Sequence, residues 1–169
     1  KTGRGAVVED VDGNIFLDNP MCIELDETTA ALAADAAVRV VVITGANDGV
    51  FVRHYSVAEL VKLSEMLRAQ GFKADENAPL VPGALDRVIA RLETMPKPVI
   101  AAINGDCMGG GFEFSLGCDI RVARSGDWRL GQPESAIGIL PGGGGTQRLP
   151  RAIGMTAALE HMLMGDPIA

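Results

Sequence analysis

Residues 97–123 read KPVIAAINGDCMGGGFEFSLGCDIRVA, and this stretch decides the fold. An apolar run, Pro98–Ile103, leads into three consecutive glycines, Gly109–Gly111. A short helical pattern through Glu113 and a second apolar run, Asp119–Ala123, follow. Consecutive glycines allow close backbone approach and dihedrals closed to other residues. Glycines that open a helix also leave free N–H groups, which suit an anion or a developing oxyanion. Further along, WRLGQPESAIGILPGGGGTQR (Trp128–Arg148) repeats the device, with Gly131-Gln132-Pro133 opening onto Glu134. Carboxyl groups beside such donors are what chemistry at a carbonyl or its neighbouring carbon requires.

Working outward, helices and strands alternate. Ala6–Asp10 and Ile15–Leu17 read as short strands around Asp12-Gly13, and Glu24–Ala34 reads as a helix. The β-branched run Val38–Thr44 predicts a buried strand. Val57–Ala69 reads as a helix with Leu60, Leu63 and Leu67 on one side. Gly71–Gly83 reads as a long polar loop. Leu85, Val88, Ile89 and Leu92 recur at helical spacing and predict an amphipathic helix ending near Pro96. Pro98–Ile103 is a second buried strand, Gly110–Gly117 a helix, Asp119–Ala123 a strand, and a last helix runs from about Ala152 to Met164. The pattern is α/β (α+β), with helices packing on sheets in one domain.

Composition sets the outer bounds. The chain has 169 residues, 47% hydrophobic and 22% charged, which is enough for a sizeable core. A net charge of −7 argues against nucleic acid as a partner. No apolar run reaches membrane-spanning length, and the residues from Lys1 onward carry no signal-peptide pattern, so a cytoplasmic location is expected. Cys22, Cys107 and Cys118 form an odd count without metal-like spacing, and read as reduced, structural thiols. His54 and His161 make no metal motif with each other or with cysteine, so no metal is expected.

The blocks LDNP (Leu17–Pro20), VRVVVITG (Val38–Gly45), Lys97–Ala123, Trp128–Gly154 and GDPIA (Gly165–Ala169) resemble the crotonase (enoyl-CoA hydratase/isomerase) superfamily. The resemblance covers nearly the whole chain. It implies a crotonase-like fold of stacked ββα units that holds a coenzyme A thioester, with trimers or paired trimers as the assembly. It further implies that the thioester oxygen is held by the backbone N–H groups of Tyr55 and Gly110. Glu113 then matches the water-activating glutamate, and Glu134 the one that handles the α-carbon proton. Arg53, His54, Gly109 and Gly142 are expected to touch the substrate, Arg53 and His54 through the coenzyme's phosphates or adenine, with a solvated loop as the simpler reading of those two. No separate cofactor is implied, because coenzyme A is part of the substrate. Family members that only move a double bond tend to lose the first glutamate; this chain has both, so hydration of a trans-2-enoyl-CoA ranks above isomerisation.

Three departures stand beside the match. Arg53-His54-Tyr55-Ser56 replaces a loop of small residues, which leaves open a non-catalytic acyl-CoA-binding protein. Pro20 runs directly into Met21, where the family places a longer segment, so a loop is expected to be missing between 20 and 21. The family's C-terminal helices, which complete the tunnel and assist trimerisation, are expected beyond 169. Among the simpler readings, either glutamate alone would be a first-turn acid facing a helix dipole. Gly142–Gly145 lacks the Lys-Ser/Thr ending of a phosphate loop and reads as a glycine-lined wall of the site. Tyr55 reads as a pocket wall, Asp119 and Arg121 as structural, His161 as a surface or interface residue, and Trp128 as packing under the second glycine turn.

Overall fold

A computed structural model describes residues 17–168 other than 74, 76 and 80. The expected strands Ala6–Asp10 and Ile15–Leu17 lie outside the described residues, except that Leu17 forms a parallel bridge with Tyr55.

The described chain is built from repeated strand–strand–helix units. β1 (Val41–Thr44) and β2 (Gly49–Val52) precede α2 (Val57–Ala69) and α3 (Ala84–Thr94). β3 (Val99–Ile103) and β4 (Gly105–Met108) precede α4 (Gly110–Leu116). β5 (Ile120–Ala123) and β6 (Leu130–Gly131) precede a 3-10 turn at Glu134–Ile137. The first strands of the units pair in parallel in the order β1-β3-β5, and the second strands in the order β2-β4-β6. This is the ββα stack that the resemblance implied. α1 (Asn19–Ala34) precedes the stack; α5 (Gly145–Ile153) and α6 (Met155–Met164) follow it.

Local chemistry explains the boundaries. α1 starts at Asn19 and not at Glu24, because the Asp18 carboxylate accepts from Met21 N–H at 2.8 Å and Pro20 fits the first turn. The Pro20–Met21 junction therefore lies inside a continuous helix. Val88, Ile89 and Leu92 of α3 are buried as their spacing predicts. α1 is tied to α3 by Asp26, which pairs with Arg87 at 2.7 Å and with Arg91. Those two partners hold the Asp26 carboxyl below its usual range.

Some expectations need correction. Val38–Thr44 is not a strand buried on both faces: only Val41 is buried, while Val42 is 61% exposed on the same sheet face as exposed Ile120 and Val122, two strands away. A β-branched run reports sheet preference, not how many faces are covered. α2 spans Val57–Ala69 as read, and no residue of that helix is buried. The last helix is two helices: Gly154, at φ +89°, breaks α5 from α6. Trp128 packs against Gly49 and Gly126, not under the Gly131 turn, with the Arg124 guanidinium 5.4 Å from its ring centre. Asp119 is structural as read, accepting from Val99 N–H at 2.8 Å, and Arg121 donates to the carbonyls that end α4.

Candidate active site

Parallel pairing of β2, β4 and β6 brings the segments after these strands together at one edge. They are Arg53–Ser56, Gly109–Gly111 and Gln132–Glu134. Met108 N–H donates to Arg53 O at 3.0 Å, and Gly109 N–H donates to Gly131 O at 2.8 Å, so the three segments are directly bonded. Loops at the carboxyl ends of parallel strands are where open α/β structures bind ligands.

Gly109 has φ +52° and ψ −129°, a conformation that side chains other than glycine avoid. A Cβ there would also lie 3.1 Å from Glu134 Oε1. The turn leads into Gly110, the buried first residue of α4, and a first-turn N–H has no partner within its own helix. Tyr55 faces it: a Cβ on Gly110 would lie 3.4 Å from Tyr55 N. Leu17 N–H donates to His54 O and Ser56 N–H donates to Leu17 O, at 2.8 and 2.6 Å. In such a bridge the N–H and C=O of Tyr55 point away from Leu17. The two N–H groups expected from the resemblance are therefore neighbours. The Tyr55 hydroxyl donates to Glu59 Oε2 at 3.1 Å, and burial pushes its pKa well above the usual value. That side chain is a wall.

These segments line a cavity of about 660 Å³ that includes His54, Tyr55, Gly109, Gly110, Glu113 and Glu134. Gly142 also lines it, as expected. Its remaining wall is mainly apolar, with Cys22, Val57, Leu60, Leu85, Ile137 and Leu140 among the residues. Arg53 stands outside the lining: its guanidinium lies 3.6 Å from Asp106, which also binds Arg129 at 2.8 Å. The β2–β4 pairing places Arg53 beside the end of β4, which draws it toward that acid and away from the cavity.

The carboxyl groups share the cavity but not their surroundings. Glu113 projects from a helix whose residues are all buried. Its Oε1 accepts from Gly145 N–H at 2.7 Å, at the start of α5. Burial raises its pKa, against lowering by the N–H groups of Gly145 and Gly143 and by Arg148. Glu134 is also buried, yet its Oε2 has no partner among the described residues. Burial, reinforced by the nearby Glu113 charge, lifts its pKa to about 7. Burial thus pushes both carboxyls toward the neutral form, but at Glu113 backbone N–H groups and Arg148 oppose that push, so the two environments differ as a division of acid and base work requires.

The sequence reading missed two contributors. Gln132 is 1% exposed, and its Nε2 points at Gly109 O at 3.5 Å. A Cβ on Gly145 would meet Gln132 Oε1 at 1.8 Å, so this side chain fills the gap between the glycine turns. The second contributor is the start of α5, where the glycine run supplies the N–H groups that hold Glu113. The signal was present as glycines opening a helix, but Pro150 inside α5 hid the helix.

A sequence profile of the enoyl-CoA hydratase/isomerase family matches residues 14–169. The chain belongs to this family. It is 40% identical over 153 residues to a crotonyl-CoA hydratase from Syntrophomonas wolfei, covering 90% of this chain and 54% of that protein. It is 43% identical over 146 residues to a short-chain-enoyl-CoA hydratase from Clostridium acetobutylicum, covering 86% and 51%. The crystal structure of an enoyl-CoA hydratase from Bacillus anthracis superposes with a TM-score of 0.72 at 34% identity, covering 89% of this chain and 54% of that one. The chain therefore spans about half the length of the relatives it matches.

Proposed function

We propose that this enoyl-CoA hydratase/isomerase family member hydrates trans-2-enoyl-CoA thioesters to 3-hydroxyacyl-CoA. The observation that carries the reading is the contrast between two glutamates in one cavity: Glu113 on backbone N–H groups of the Gly143–Gly145 turn, Glu134 buried with its Oε2 unpartnered among the described residues. Glu113, as a carboxylate, takes a proton from water as the oxygen bonds to the β-carbon. Electron density moves onto the thioester oxygen, which the N–H groups of Gly110 and Tyr55 stabilise. Glu134, protonated, then delivers its proton to the α-carbon. Water and protons are all that is exchanged, so the reaction needs no cofactor beyond the coenzyme A of the substrate.

Assembly as a trimer or dimer of trimers belongs to the same reading. It is supported by exposed apolar residues on and beside α6, with Met155 at 61%, Leu163 at 71% and Met164 at 67% exposed. A cytoplasmic location is supported by free, buried Cys22, Cys107 and Cys118. Among the described residues no helix is long and apolar enough to cross a membrane.

The deciding experiment follows the ultraviolet band of the conjugated thioester when crotonyl-CoA is mixed with the full-length protein. Loss of the band is expected, slowed about 10²–10⁴-fold by Glu113→Gln. An unchanged band with the wild-type protein would sink the reading. Isomerisation of a 3-enoyl-CoA that survives Glu113→Gln but not Glu134→Gln would replace it.

A further inference from the structure

On the other side of Gly142 and Gly143, which line both, lies a second cleft with charged groups in its wall, Asp86, Glu93, Arg148 and Arg151 among them. Arg148 crosses from this cleft to the back of the Glu113 site. Its Nε and Nη2 donate to the two carboxylate oxygens of Glu93 on α3, at 2.8 and 2.7 Å. Its Nη1 donates to Gly143 O at 2.8 Å. A guanidinium presents these donors in one rigid plane, so a bidentate carboxylate on one edge fixes the direction of the remaining N–H. The group passes directly over Gly144, where a Cβ would lie 2.0 Å from Nη1, and Gly144 itself has φ +90°. The Gly143–Gly144 peptide held in this way lies between the two peptides whose N–H groups, those of Gly143 and Gly145, face Glu113. Gly145 N–H bonds Glu113 Oε1, and a Cβ on Gly143 would lie 2.8 Å from Glu113 Oε2.

We propose that the Glu93–Arg148 pair is the positioning device for Glu113, fixing the Gly143–Gly145 turn whose backbone N–H groups hold and aim that carboxylate. The proposal rests on the hydratase reading only for its kinetic consequences. Arg148 touches no reacting atom; it acts through the turn and through its charge. The other charged groups that bear on Glu113 are Asp86 on α3, which opposes ionisation, and Glu134, whose own proton Glu113 helps to retain.

The test separates geometry from charge. In the full-length protein with carboxyl-labelled glutamate, a ¹³C-NMR titration, with Glu113 assigned by its loss in Glu113→Gln, follows that group without turnover. Arg148→Met is expected to raise the Glu113 midpoint by about one pH unit, because a nearby positive charge is lost. Arg148→Lys is expected to raise the midpoint by less, since the charge remains and only the grip on the turn is lost. With crotonyl-CoA, kcat is expected to fall about 10–100-fold in both variants with KM little changed, because lysine cannot grip Glu93 and Gly143 together. The double variant Glu93→Gln/Arg148→Met is expected to be no slower than Arg148→Met alone.

A folded Arg148→Met with an unmoved midpoint and wild-type kcat overturns the proposal, as does a loss confined to thermal stability. If Arg148→Met does not fold, Arg148→Lys decides: a lowered kcat at unchanged Tm supports the clamp, and wild-type kcat removes it. If the wild-type protein hydrates no enoyl thioester, the hydratase reading is removed; a Glu113 midpoint that moves in Arg148→Lys as well as in Arg148→Met then supports the clamp, and one that moves in Arg148→Met alone reduces Arg148 to a charge effect and overturns it.

Discussion

Glu134 shows how much one atom can decide. Its Oε2 is buried and unpartnered among the described residues, and its pKa is lifted to about 7 from 4.5. A carboxyl whose folded pKa is raised holds its proton more tightly in the folded state. Its contribution to stability is full below pH 4.5 and is lost as pH rises through 7, a change on the order of 3 kcal/mol. Glu134→Gln is therefore expected to be more stable than wild type at pH 8, with the gap closing toward pH 4, as read by urea unfolding across that range. The same shift sets the rate profile. Hydration needs Glu134 protonated, so kcat/KM for crotonyl-CoA is expected to fall above about pH 7, and the slope of a pH–rate profile checks it. Both glutamates were legible in the sequence, because each follows a glycine turn and glycines advertise close approach. Arg53 was not legible in the same way. Its partner, Asp106, is fixed by pairing across the sheet, and spacing along the chain carries no trace of that.

At the scale of elements, the start of α5 matters most. Gly143→Ala is expected to lower kcat about 10²-fold by pushing Glu113 off its N–H groups, because the new methyl would sit 2.8 Å from Oε2. Substrate binding measured by calorimetry should change far less than kcat. At the other end of the chain, Asp18→Ala removes the cap of α1 and is expected to cost about 1 kcal/mol, a fall of about 2–4 °C in Tm by calorimetry. The elements read correctly from sequence were α2, α3, β3, α4 and β5, most of them marked by a strong period or a strong run. β4, with sequence GDCM, was missed because its strand character comes from β2 and β6 on either side and not from its own residues. α5 was missed because a glycine run and an internal proline oppose helix by propensity. Contact with α4 and α6 outweighs that preference.

For the whole molecule, the order of elements was enough to give helices on sheets, and the resemblance gave the stack of repeated units. What neither periodicity nor composition could give was which sheet faces stay uncovered. Val42, Ile120 and Val122 lie on such a face, and Met155, Leu163 and Met164 are exposed on α6. If the α6 surface joins copies of the full-length protein, dilution should lower Tm, since association stabilises the folded state by mass action. Thermal unfolding over a wide concentration range, with light scattering for mass, checks this. A concentration-independent Tm and a monomer mass would remove the assembly reading.

Helix α4 lies wholly inside the molecule, while other parts of the cavity wall, at Leu60 and Leu140, are exposed. The two parts of the wall therefore answer to different pressures. A change near Glu113 disturbs the interior and is felt as lost folding; a change near Leu60 or Leu140 alters only how much room a guest's tail finds. New guests can be tried at the rim, generation after generation, while the reaction at the root stays as it was.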